Sequence, residues 1–322
     1  MRSFLVACAA LAPVLASGCS QPVGPEGRVG AVRSPIAYGA ADTLHTAVVA
    51  VLAPVGTTAL QECTGSIVRV TGGDAFVLTA AHCCNLHIPT LVVASSDYAV
   101  GEPYLAGGTP APPVYPVTPG SVYYDALYAE DMQLDHDFCM LQFTGAPANT
   151  ATLSLPSTSD ALAVGSSIEH VGFGFTETST MNSQRRTGTD TVDQLTALMV
   201  EYPQGGTTDV PGTCEGDSGG PALLPAGAPQ AQQVVTAVTS YGSSSSCAQT
   251  TFGVGSRVSS AMGAGGFIAS YLAGAPIGVH AGAPPQAVSA SGGGWASALL
   301  AAGLVAAGLF EIVGRRMATI RP

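Results

Sequence analysis

Apolar residues in this chain fall in short runs rather than at helical spacing. Ala47 to Leu52, Ser66 to Val70, Phe76 to Ala80, Leu91 to Ala94, Phe138 to Phe143 and Val234 to Ser240 are rich in β-branched residues and separated by Gly, Pro, Asp and Ser. Such punctuated runs predict short strands and an all-β fold. Glu102 to Gly120 holds six prolines and is expected to be a surface loop rather than an element.

Two longer apolar runs lie at the ends. Arg2, the run Phe4 to Ala16 and the small residues Ala16-Ser-Gly18 have the layout of a secretory signal peptide, residues 1–18. The sequence Leu15-Ala-Ser-Gly-Cys19 also resembles a bacterial lipobox, which would place a lipid on Cys19; both readings cut after Gly18. At the other end, a flexible Gly/Ala/Pro linker, residues 273–294, leads into Trp295 to Val313 and a basic tail, residues 314–322, that carries Arg315-Arg316. As a helix, 295–313 would span about 30 Å, close to a bilayer core. The Gly-Gly-Gly, apolar helix, Arg-Arg order resembles bacterial C-terminal sorting signals, and a plain transmembrane anchor fits equally. Either way the expected site is secreted or cell-surface, outside the cytoplasm.

At 322 residues the chain holds one large domain or two small ones. A net charge of −11 argues against a nucleic-acid partner, which basic patches bind. All ten basic residues are arginine, and with abundant Ala and Gly this points to a GC-rich bacterial genome. Of eight cysteines, Cys8 lies in the signal segment and Cys19 at its end, which leaves six for the mature domain.

The candidate chemistry sits in Gly216-Asp217-Ser218-Gly219-Gly220-Pro221 and Thr79-Ala-Ala-His82-Cys83. The first stretch also satisfies the G-x-S-x-G elbow of α/β-hydrolases, in which the acid and the histidine follow the serine. Only His280 lies beyond Ser218, in a Gly/Ala/Pro tract. Upstream stand His82 and then Asp137, directly before an apolar run, with Asp135 as the alternative acid and Asp131 close by. The order His, Asp, Ser is that of the chymotrypsin-type triad. His45, His87, His136 and His170 have no partner at ligand spacing and are read as structural. No H-E-x-x-H occurs and the cysteines flank the motifs, so neither a metal nor a cofactor is expected.

On these motifs the chain resembles the chymotrypsin/trypsin family of serine endopeptidases over about residues 36 to 272. Cys63-Thr-Gly-Ser-Ile-Val, Val171-Gly-Phe-Gly174, Ser240-Tyr241-Gly242 and Cys247-Ala-Gln with Gly253-Val are further anchors, in family order. The resemblance implies two antiparallel six-stranded β-barrels with a short C-terminal helix, and a monomer acting on protein or peptide substrates. It gives Ser218 the role of nucleophile, His82 that of general base and Asp137 that of orienting acid, with an oxyanion hole from the N–H groups of Gly216 and Ser218. It implies the disulfides Cys63–Cys83 and Cys214–Cys247; Cys84 and Cys139 are expected to pair, free thiols being the alternative. Gly212 falls at the base of the substrate pocket and Gly242 and Gly253 on its walls, beside the substrate-docking strand Ser240 to Gly242. Three glycines imply an open, uncharged pocket for a large apolar or aromatic P1 residue. Residues 19–35 would be a propeptide or linker, removed by a processing peptidase so that Ile36 pairs its amine with Asp217. Pro35 before Ile36 departs from the family pattern. A catalytically silent binding module on the same scaffold is the alternative, although no triad member is lost.

Overall fold

The computed structural model describes residues 36–55, 59–96, 113–131, 134–177, 183–205, 210–244 and 246–281. The expected signal peptide, Cys19, the propeptide, most of the C-terminal linker and the apolar helix at 295–313 lie outside the described residues. Among the described residues no helix is long and apolar enough to cross a membrane.

Sixteen strands form two antiparallel sheets among these residues. The first contains β2 (Val48–Val55), β3 (Ala59–Thr71), β4 (Asp74–Thr79), β5 (Leu91–Val93), β6 (Val114–Pro116), β7 (Tyr123–Tyr124), β8 (Cys139–Thr144) and β16 (Val279–His280). Its order is β16-β7-β8-β4-β3-β2-β5-β6. Past β6, Val117 bridges Phe143 of β8, so the sheet curls back on itself. The second contains β1 (Ala40–Ala41), β9 (Ser167–Gly172), β10 (Arg186–Thr191), β11 (Gln194–Leu195), β12 (Met199–Pro203), β13 (Pro221–Leu224), β14 (Val234–Gly242) and β15 (Phe252–Arg257). Its order is β1-β10-β9-β13-β14-β15-β12-β11.

Each sheet therefore has eight strands where six were expected. The difference lies in the two-residue strands β1, β7, β11 and β16, which are too short for any periodicity to register in sequence. The proline-rich stretch also holds an element. Val114–Pro116 is a strand whose Tyr115 is buried and stacks on Phe143 at 4.6 Å between ring centroids. It is the last strand of its sheet, where a proline's missing N–H costs no ladder bond.

Local chemistry explains the remaining geometry. The β3–β4 hairpin turns on Gly72 and Gly73, both at positive φ (63° and 92°), a conformation that L side chains resist. Val48 to Ala53 of β2 are all buried, as a continuous apolar run requires. One hydrophobic cluster runs from this strand through Leu78, Phe138 and Met140 to Phe173, Leu223 and Val238 of the second sheet. A smaller one (Ile168, Val192, Val200, Tyr202) fills the second sheet alone. The short C-terminal helix, Phe267–Leu272, packs Phe267, Ile268 and Tyr271 inward.

Candidate active site

The β4–β8 ladder brings the histidine and the acid together. Thr79 pairs with Cys139, so the chain three residues past Thr79 and two before Cys139 must meet. His82 opens a four-residue helix, His82–Asn85, and Asp137 follows a 3₁₀ turn at Leu134–His136. The His82 Nδ1–H donates to Asp137 Oδ2 at 2.7 Å, and the His82 backbone N–H donates to Oδ1 at 2.9 Å. Oδ2 also accepts from the Ser240 hydroxyl at 2.6 Å, and the Asp137 N–H donates to Ser256 Oγ at 3.3 Å. The carboxylate is wholly buried, while the His82 side chain keeps 27 % of its exposure. Asp135, the alternative acid, is half-buried on the 3₁₀ turn and takes no part in these bonds.

With Nδ1–H committed to the carboxylate, the other ring nitrogen of His82 is left as an acceptor. Burial pulls its pKa down, but the charge and hydrogen bond of Asp137 more than offset this and hold it above 6.5.

Ser218 sits in the turn before β13. The N–H of Thr64, on β3, donates to the Ser218 carbonyl at 2.8 Å, and the Thr64 hydroxyl donates to the Gly216 carbonyl at 2.8 Å. One buried threonine thus holds both carbonyls, and among the described residues the N–H groups of Gly216 and Ser218 have no protein acceptor. Gly216 has φ +93° and Gly219 φ +84°, and a Cβ on Gly219 would overlap Thr79 Oγ1. The Ser218 carbonyl lies 3.7 Å from Cys83 Sγ, next to His82. Among the described residues no hydrogen bond joins Ser218 Oγ to His82.

Thr64 and Ser256 escaped sequence reasoning, because a buried hydroxyl carries no pattern. Ser240, expected on the substrate side, turns its hydroxyl to Asp137.

Three disulfides frame the site. Cys63–Cys83 lies beside His82, Cys84–Cys139 ties the residue after Cys83 to the start of β8, and Cys214–Cys247 joins the serine turn to the segment before β15. Cys63, Cys83 and His82 place their donor atoms within 4.8 Å of one another, but the sulfurs are bonded to each other and offer no thiolate to a metal.

Asp217 accepts from the N–H groups of Gly174 (2.8 Å) and Cys214 (2.9 Å). Burial pushes its pKa up to about 7, against those two bonds and the charge of Arg186. The expected pair with Ile36 is absent from the intact chain, for a simple reason: the Ile36 nitrogen is spent in the peptide bond to Pro35. Ile36 is nonetheless buried, and Ala37 bridges Gly212.

The pocket glycines depart from expectation. The Gln204 side chain lies against Gly212 and Gly253, and Gly242 faces Thr250 at 3.0 Å before it reaches Gln204. A Cβ on Gly212 would stand 3.2–3.3 Å from Gln204 Cβ, Cγ and Cδ, and one on Gly242 3.9 Å from its amide. One on Gly253 would overlap both the Gln204 amide and the Tyr202 ring. Tyr241, between the docking residues, is half-buried on β14 opposite Val254.

Comparison with known proteins agrees with this geometry. The trypsin family model matches residues 44–263, well over half of the chain. The chain belongs to the trypsin family. No protein of curated function matches the sequence. Among solved structures, the HL collagenase is 19 % identical with a TM-score of 0.52, over 70 % of this chain and 94 % of that one. A Glu endopeptidase in complex with MPD is 15 % identical with a TM-score of 0.49, over 72 % and 90 %. At such identities the collagenase likeness speaks for the fold alone.

Proposed function

We propose that this protein is an extracytoplasmic serine endopeptidase that cleaves peptide bonds through an acyl-enzyme on Ser218. The observation that carries the reading is the buried Asp137 carboxylate on His82 Nδ1, in the chain order His, Asp, Ser. Ser218 Oγ attacks the scissile carbonyl while His82 takes its proton, and His82 then returns that proton to the leaving amine. Asp137 fixes the ring tautomer and stabilises the imidazolium. The unpartnered N–H groups of Gly216 and Ser218 receive the oxyanion, each such donor contributing about 3 kcal/mol to the transition state.

Three disulfides support an oxidising compartment. Attachment through residues 295–313, with or without a lipid on Cys19, belongs to the same proposal. So does processing: cleavage after Pro35 frees an amine at Ile36, and Asp217 is the buried carboxyl it would ionise. The uncharged glycines at the pocket give a basic P1 residue no counter-charge.

Peptide hydrolysis by the wild type, Ser218→Ala and His82→Ala tests the reading. Both variants stay folded and lose turnover; hydrolysis retained by folded Ser218→Ala would overturn it.

A further inference from the structure

We propose that Gln204 closes the S1 pocket of this protease and restricts cleavage to small P1 residues, namely Ala, Gly and Ser. The inference rests on the endopeptidase reading and names the substrate class of that same site. The directions in which side chains would grow from Gly212 and Gly253 meet at the Gln204 side chain, while the direction from Gly242 runs first onto Thr250 and only then within 3.9 Å of Gln204. Tyr202, on β12 opposite Gly253, supplies the rest of the filling. Gln204 is only 2 % exposed and Tyr202 not at all, so both side chains are packed rather than solvated.

The plug is locked. The Gln204 amide oxygen accepts from the Thr213 N–H at 2.9 Å and from its hydroxyl at 2.6 Å, and the amide nitrogen reaches the Thr213 carbonyl at 3.3 Å. Its own backbone N–H donates to Thr251 O at 2.9 Å. One side chain therefore satisfies both backbone polar groups of Thr213, between the pocket base and the Cys214–Cys247 bridge. Swinging it aside for a bulky P1 residue would strand buried polar groups, which is costly. What remains for P1 is the shallow space in front of the plug, enough for a methyl or hydroxymethyl group. Overfilling a packed volume is itself disfavoured.

The test compares rates of Ser218 labelling by peptidyl diphenyl phosphonates that differ only in Ala or Phe at P1, with a simple alkyl fluorophosphonate as the control. Protein processed to begin at Ile36 should react with the Ala probe about 100-fold faster than with the Phe probe, the scale set by excluding several methylenes from a pocket. In Gln204→Gly and Gln204→Ala, checked for folding by circular dichroism, the Phe probe should gain at least about 10-fold relative to the Ala probe. Equal rates in the wild type, or an unchanged ratio in a folded variant, overturn the inference while leaving the protease reading intact. Failure of every probe on folded protein that begins at Ile36, the fluorophosphonate included, removes the endopeptidase reading and the inference with it.

Discussion

Asp137 gathers three hydrogen bonds on one buried carboxylate, from the His82 ring, the His82 backbone and Ser240, so the imidazole has a single orientation available. An amide in its place would present a donor where Nδ1–H needs an acceptor and would favour the wrong tautomer. Asp137→Asn should therefore lower kcat by about four orders of magnitude with little change in fold; a loss below tenfold would show that Asp137 does not orient the base. The same pair sets the pH response. His82 works as a base only when neutral, and Asp137 holds its pKa above 6.5. Activity should fall as pH drops through a midpoint above 6.5, and that midpoint should move down in Asp137→Asn. A pH–rate profile of kcat/KM reads both shifts.

Elements hold the triad segments in two ways, by the β4–β8 ladder and by Cys84–Cys139, whose residues are 55 apart in sequence. Closing a loop of that length stabilises the folded chain by about 4 kcal/mol. The double variant Cys84→Ala/Cys139→Ala should lose stability on that scale in denaturant unfolding and turn over more slowly. A second element-level effect lies within the second sheet. His170, on β9, and Asp190, on β10, stand 3.6 Å apart in the core with no hydrogen bond on either side chain. Burial pushes Asp190 up to about 8 and His170 down to about 3. Between pH 3.8 and 8 the folded state holds a proton on Asp190 that the unfolded state releases, so this group's contribution to stability falls as pH rises. His170 acts oppositely, but only below 6.5, where the unfolded state takes up a proton that the folded state refuses. From pH 6.5 to 8 the Asp190 effect is left unopposed by His170, and stability should decline. Asp190→Asn should flatten that decline in thermal melts; an unchanged slope would place the titration elsewhere.

Over the whole molecule, what could be read from sequence depended on how local its cause was. The apolar runs foretold β2, β3, β4, β5, β8 and β14 because buried strands need continuous or alternating apolar residues. Arg186-Thr-Gly-Thr-Asp-Thr191 carries no such run and becomes β10 only through pairing with β9. The triad was legible because its chemistry demands a His, an Asp and a Ser in a recognisable order. Thr64, Ser256 and Gln204 were not, since each acts through a contact made by residues distant in the chain. The glycines show the limit most clearly: three of them implied an open space, and the Gln204 side chain, invisible to that logic, lies against Gly212 and Gly253.

The central claim, an activated serine, is met most directly by treating the native protein with a fluorophosphonate and weighing it intact beside Ser218→Ala. A single adduct on the wild type and none on the variant is the predicted result, with the mass also reading which termini remain. No adduct on folded protein whose chain begins at Ile36 would contradict it and would leave a protease scaffold serving as a binding module.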